Sequence, residues 1–250
     1  MGLTVHFKLA APAGGSEAQA KTLVESMRRL ALGFRIEGLV DRVLPITADR
    51  KTLGQFGLAW LVLPVPGEAN TSTGVEVCPT TGFLFRVEVG DDCEPLWLGL
   101  CRYPEKVRFQ GKELRTKEDA GWRLSGFSKT QYASLHGWEH FLRCHRAVVE
   151  LLAGLRSLGC RVRISDEGDY WPRRSVAALR ARLDPMNRLV AAAAGALKDL
   201  CSEPGDATGI QSPILGHPQF ERLEAEGAAN SARLGEFVKA VRRALRSNGG

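Results

Sequence analysis

The apolar pattern of this chain changes its period along the sequence, and that change constrains the fold more than any single motif. Near the N-terminus, "LTVHFKL" alternates apolar and polar residues, which is typical of a half-buried strand. After "APAGG", Ser16 and Gln19 make an S-x-x-Q capping box, and apolar residues then follow helical spacing to about Gly33. The run "RIEGLVDRVLPI" comes next, so residues 3–46 are predicted to form a strand, a helix and a strand.

The same order returns later in the chain. A strand near "SGFSKTQYA" precedes a helix predicted from about His136 to Leu158, and "CRVRIS" follows as a strand, so the second unit spans residues 124–165. Between the two units, residues 56–125 hold short apolar runs separated by turn residues, which indicates an antiparallel, strand-rich middle. This order is common among α/β proteins, so the sequence leaves open whether the two units are a duplication.

The last third is predicted to be helical, over residues 172–246. Pro172 and Pro185 occupy expected first positions of two helices, "HPQFERLEAEG" repeats the proline start, and a final helix is expected over residues 231–246. The predicted fold class is therefore α+β: a mixed, largely antiparallel sheet with two strand-helix-strand units and a helical C-terminal third. Because the helices carry apolar stripes that need a shared core, residues 1–250 are predicted to form a single domain.

Composition narrows the class of protein. The chain has 250 residues, of which 44% are hydrophobic and 25% charged, as in ordinary globular domains. It contains no run of eighteen apolar residues, so no membrane partner is expected. Its 6 cysteines include no C-x-x-C pair, a pattern that favours reduced thiols. We therefore expect a soluble cytoplasmic protein.

The charge distribution suggests one class of partner. The net charge is +6, and most of the basic excess lies in residues 126–250. Arginine-rich surfaces bind phosphates and carboxylates, but the sequence contains no recognisable nucleic-acid-binding module, so a protein is favoured over nucleic acid as the partner. An alternative function is a non-catalytic interaction protein that uses this basic helical half to bind a protein partner or, as the less favoured choice, nucleic acid. A homodimer is left open.

The stretch "ISDEGDYWPRR" holds the principal candidate site. Ligands of open sheets bind at the carboxyl ends of strands, and this loop follows a predicted strand. Paired carboxylates can divide acid and base roles or hold a cation, aromatic rings can contact a sugar or base, and arginines can neutralise the acids. Turn formation and helix capping are the structural alternative. The expected function is ligand binding or catalysis, with an unknown small molecule and an unknown cofactor. The candidate catalytic residues are Asp166, Glu167 and Asp169, and the candidate ligand-binding residues are Tyr170, Trp171, Arg173 and Arg174.

The stretch "HGWEH" matches the H-x-x-E-H pattern of a class of zinc peptidases. On a helix, His136 and His140 would lie four residues apart and could share a metal, with Glu139 acting on bound water. A third ligand would have to come from a later glutamate: Glu221, Glu224 or Glu226. Gly137 weakens the start of that helix, and a motif of five residues often occurs by chance, so no metal is expected here.

Several stretches also resemble those of bacterial proteins that have no assigned activity. The stretches are "GLTVHFKL", "FSKTQYAS", "FLRCH", "SDEGDYW" and "HPQFERLEAEG". The resemblance extends over most of the chain. It implies an intracellular bacterial origin, but no mechanism and no site.

Overall fold

The structure is a computed structural model that describes residues 3–48, 61–64, 74–116, 121–201 and 213–230. Two compact units divide the chain. One contains Met1–Thr4, Lys129–Leu142 and Asp166–Gly250, and the other contains Val5–Ser128 and Arg143–Ser165. This division follows compactness alone, so the single domain stays a prediction.

The N-terminal strand and helix form as predicted. Strand β1 spans Thr4–Ala10, and the capping box at Ser16 is present with both of its reciprocal bonds. Helix α1 spans Glu17–Ile36, so it continues past the predicted end at Gly33. It ends before Gly38, whose φ of +71° is left-handed and incompatible with a continuing helix.

The middle of the chain is rich in strands, as predicted, and its strands pair antiparallel. The strands are β2 Arg42–Val43, β3 Leu61–Pro64, β4 Gly74–Val77, β5 Thr81–Glu88, β6 Leu96–Arg102, β7 Lys106–Phe109 and β8 Lys112–Arg115. β5 and β6 form the long hairpin of the main sheet, while β3 with β4 and β7 with β8 form separate two-stranded sheets.

The second strand-helix-strand unit consists of β9 (Arg123–Lys129), α2 (Trp138–Gly154) and β10 (Arg161–Asp166). The six-stranded sheet has the order β10-β1-β9-β6-β5-β2, so β1 lies between the two strands that α2 connects. In the first unit, β2 is only two residues long and lies at the other edge of the sheet. The two units therefore share their element order but not their position in the sheet.

Helix α2 begins at Trp138, two residues after its predicted start at about His136. A 310 segment, Gln131–His136, ends at Gly137, whose φ is +92°, and the α-helix begins only at Trp138. A residue with that backbone angle interrupts helical hydrogen bonding, so His136 lies outside the α-helix.

The C-terminal third is helical where it is described. Helix α3 spans Val176–Cys201 and helix α4 spans Phe220–Asn230, with a 310 segment at Pro213–Gly216. The two helices predicted around Pro185 are one continuous helix, in which Leu183 and Asn187 are both buried. Proline has no backbone N–H, so Pro185 cannot make its helical hydrogen bond. The burial of Leu183 and Asn187 on either side of it stabilises the continuous helix. The predicted helix over residues 231–246 lies outside the described residues.

Helices α3 and α4 pack closely at a glycine. A Cβ on Gly227 would lie 2.1 Å from the Arg188 carbonyl oxygen, so only glycine permits this approach. The predicted end of α4 at Gly227 is therefore wrong, because this glycine is a packing position. The cluster beside it joins Val190, Ala191, Ala194, Ile214 and Leu223. Among the described helices, none combines the length and apolarity needed to span a membrane.

Candidate functional site

The acidic residues predicted as catalytic have structural partners. Asp166 accepts hydrogen bonds from the Gly168 amide at 2.7 Å and from the Trp171 amide at 2.9 Å. The Glu167 amide donates to the Thr4 carbonyl oxygen at 3.1 Å, and Glu167 Oε2 accepts from the Thr4 amide at 3.0 Å. Both carboxylates therefore hold the turn that follows β10.

The remaining candidates of this loop make separate contacts. Asp169 pairs with Arg182 at 2.6 Å, Tyr170 is buried, and the Arg174 guanidinium lies 4.9 Å from the Trp171 ring centroid. Arg173 is exposed. None of the seven residues lines the larger of the two cavities described below. Their role in ligand binding stays a prediction.

The two histidines of the zinc motif do lie close together, with ring centroids 5.0 Å apart. Within the described ranges, however, no three His, Cys, Asp or Glu side chains are arranged to hold a metal ion. Of the glutamates predicted as third ligands, Glu226 pairs with Arg188 and Arg222 at 3.2 and 3.3 Å. The metal content stays a prediction.

The compact unit that contains Lys129–Leu142 and Asp166–Gly250 has a cavity of about 470 Å³ that no sequence motif indicated. Its walls come from the 310 segment before α2, the first residues of α2, the middle of α3 and the start of α4. A second cavity, of about 320 Å³, lies beside the loop after β1 and is lined mostly by apolar residues. Polar and charged residues dominate the larger one: Ser134, Arg180, Asp184, Asn187, Arg188, His217, Gln219, Arg222 and Glu226.

A buried chain of hydrogen bonds ends in this cavity. The Leu3 amide donates to Gln131 Oε1 at 3.0 Å, Gln131 Nε2 donates to Asn187 Oδ1 at 2.9 Å, and Asn187 Nδ2 donates to Ser134 Oγ at 3.2 Å. A backbone amide can only donate, so its position determines the orientation of both side-chain amides. Ser134 Oγ is consequently the acceptor in this bond, which leaves its hydroxyl proton to be donated to another acceptor.

Burial makes this chain rigid. Gln131 is 0% exposed, Asn187 is 5% exposed and Ser134 is 7% exposed. At such burial an amide that lost its partner would cost about 1 to 3 kcal/mol, so each member holds the next in place. The Ser134 hydroxyl is therefore a preorganised donor at the cavity wall.

Arginines give the cavity a positive character. Three guanidinium groups line it, from Arg180, Arg188 and Arg222, against the carboxylates of Asp184 and Glu226. Glu226 engages two of the arginines, whereas the Arg180 guanidinium lies 4.8 Å from the Trp138 ring centroid. This stacking holds Arg180 by a cation–π contact and leaves the edge of the guanidinium available for an oxygen ligand.

His217 is a neutral donor in the same cavity. Burial lowers the pKa of its imidazole, and Nδ1 accepts a hydrogen bond from the Gln219 amide at 3.0 Å. Both effects favour the uncharged ring with the proton on Nε2. His217 can thus donate one hydrogen bond without adding a full charge.

Comparison with protein-family profiles, with curated proteins and with solved structures gives no match for this chain. One sequence signal did exist for the cavity: Asn187 lies in the stretch "MNRLVAAAAGAL", in which Arg188 is the only other polar residue. A polar residue inside a buried helical stripe needs a partner, which indicates a buried polar network. The identity of the partners, Gln131 and Ser134, depends on chain segments more than fifty residues away.

Proposed function

We propose that the protein binds a small molecule carrying anionic oxygens, a phosphate or a carboxylate, in the cavity between α2, α3 and α4. The directed hydrogen-bond chain that ends at the Ser134 hydroxyl carries the proposal, because it presents a donor whose orientation was established before any ligand arrives. Charge-assisted hydrogen bonds to such oxygens are about twice as strong as neutral ones.

The surrounding charges support this class of ligand. The three cavity arginines outnumber the two carboxylates, and His217 adds a neutral donor. Guanidinium groups bind phosphate and carboxylate through paired N–H donors, which gives affinity and orientation together. The cavity volume of about 470 Å³ is in the range of small-molecule sites.

Calorimetric titration of the full chain with inorganic phosphate and, separately, with succinate tests the proposal. We expect one of the two anions to bind, and Ser134→Ala to weaken that binding by about tenfold or more, since a hydrogen bond to a charged group contributes about 1.5 to 3 kcal/mol. Arg180→Gln should weaken it as well.

Arg182→Gln is the matched control, because Arg182 is on the same helix but pairs with Asp169 outside the cavity. It should bind as the wild type does. Failure of both anions to bind at millimolar concentration, or equal binding by the Ser134 variant, would overturn the proposal. The alternative, a protein partner on the basic helical half, stays a prediction, and none of the described contacts supports it.

A further inference from the structure

The six-stranded sheet of the compact unit Val5–Ser128 and Arg143–Ser165 has a face that is turned away from the core. In β1, Phe7 and Leu9 are buried while His6 and Lys8 are exposed, and β9 and β10 alternate in the same way. Successive residues of a strand point to opposite faces, so the exposed positions of these strands share one face. We call it the outer sheet face: His6, Lys8, Trp97, Arg123, Ser125, Phe127, Arg161 and Arg163.

Aromatic rings lie together on this face. The Ala11 amide donates to the Trp122 carbonyl oxygen at 2.8 Å, and this antiparallel register brings His6 opposite Phe127. Their ring centroids are 6.1 Å apart, and Phe127 is 47% exposed. Phe127 is therefore a large exposed ring in the middle of the sheet, and it does not pack into the core.

A third ring lies on the neighbouring strand. Cys101 of β6 pairs directly with Arg123 of β9, so the two residues point to the same side of the sheet, although Cys101 itself is buried. Trp97, which is half-buried, points to that side by alternation. The Ser128 hydroxyl donates to the Glu94 carbonyl oxygen at 2.8 Å, which holds the strands together at the end where Phe127 and Trp97 lie. Three adjacent strands therefore contribute one ring each.

Cations flank the rings. The Glu167 amide bonds the Thr4 carbonyl oxygen, and because β10 ends at Asp166 while β1 begins at Thr4, only an antiparallel run places them side by side. That register sets Arg163 beside Lys8. Burial lowers the pKa of Arg123, Tyr103 opposes that shift, and the charge of Arg161 adds to it, so Arg123 and Arg161 also lie near each other.

The outward positions of β1, β9 and β10 include no acidic residue. The four cations of these strands, Lys8, Arg123, Arg161 and Arg163, give the face a positive charge that is complementary to a polyanion. Exposed rings on a sheet serve as stacking platforms for unpaired bases, and adjacent arginines and lysines contact the phosphates. A duplex hides its bases from such a flat face, whereas a single strand presents them.

We propose that the outer sheet face binds single-stranded nucleic acid, with bases stacked on Phe127, His6 and Trp97 and phosphates on the surrounding cations. This site is different from the basic helical half considered from the sequence, and it does not depend on the anion-binding cavity. The absence of a sequence motif is explained by the placement of the rings, since the strands that carry His6 and Phe127 are more than a hundred residues apart in the chain and meet only in the sheet.

Fluorescence anisotropy with labelled oligouridylate and oligodeoxythymidylate of about 12 nucleotides tests the proposal on the full chain. We expect at least one to bind at low salt, with affinity falling as salt rises. Phe127→Ala should weaken binding about fivefold or more, and Phe127→Tyr should retain it because the ring is preserved. Lys8→Gln with Arg163→Gln should weaken binding and make the salt dependence shallower.

Matched controls separate the face from general effects. Ile36→Ala removes another exposed apolar side chain, one that is 88% exposed, and Lys21→Gln removes an exposed lysine of α1; both should bind as the wild type does. Arg180→Gln, in the cavity, should also leave the oligonucleotide affinity unchanged, so failure of either proposal is visible separately. Binding of neither oligonucleotide, tighter binding of a duplex of equal length, or unchanged affinity in Phe127→Ala would overturn the proposal, as would salt-independent self-association through this face in sedimentation.

Discussion

At the scale of the residue, Asp166 shows how a carboxylate can stabilise a turn through backbone amides. Its two oxygens accept the Gly168 and Trp171 amides, so Asp166→Ala leaves two backbone donors without their partner. We expect thermal unfolding to show a loss of about 1 to 3 kcal/mol in the free energy of unfolding. Asp169→Ala, which breaks an exposed pair with Arg182, should cost at most about 1 kcal/mol. Equal losses in the two variants would contradict this assignment.

At the scale of the element, the packing of α3 on α4 depends on Gly227. A Cβ there would lie 2.1 Å from the Arg188 carbonyl oxygen, so Gly227→Ala must displace one helix. We expect a loss of about 1 to 3 kcal/mol by denaturant unfolding. Gly33→Ala is the control, because that Cβ meets nothing within 4 Å, and it should stabilise α1 by up to about 1 kcal/mol. The packing argument is wrong if both substitutions stabilise the protein.

At the scale of the whole molecule, buried thiols make stability depend on alkaline pH. Burial raises the pKa of Cys101 from 9.0 to about 12 and that of Cys160 from 9.0 to about 11. Above pH 9 the unfolded chain releases these protons and the folded chain keeps them, so stability is complete below pH 9 and falls as the pH rises toward the folded pKa values. Each thiol should contribute a slope of about 1.4 kcal/mol per pH unit, measured by urea unfolding between pH 8 and pH 10.5. Cys101→Ala should reduce the slope, and an unchanged slope would exclude this cause.

Local patterns in the sequence determined much of the architecture. The alternation in β1, the capping box of Ser16 and the α+β class are all confirmed, because strand periodicity and helix capping depend on residues a few positions apart. The predicted end at Gly227 is wrong, and α1 extends to Ile36, beyond its predicted end at about Gly33, for a related reason. A glycine ends a helix only where its backbone angle or its surroundings require it. The spacing of the apolar residues indicates neither the backbone angle nor the surroundings.

Tertiary structure alone decided which residues come together at the two proposed sites. Gln131, Asn187 and Ser134 become one hydrogen-bond chain because three separate segments meet, and the rings of His6 and Phe127 meet because β1 and β9 are neighbours in the sheet. Sequence alternation predicts which face of a strand is exposed, but not which strand lies beside it. Asp166 and Glu167 stood next to each other in the sequence and could be recognised there, yet the amides they bind were not visible until the chain had folded. Contacts between distant segments set these sites, since burial and register are properties of the assembled sheet and helices.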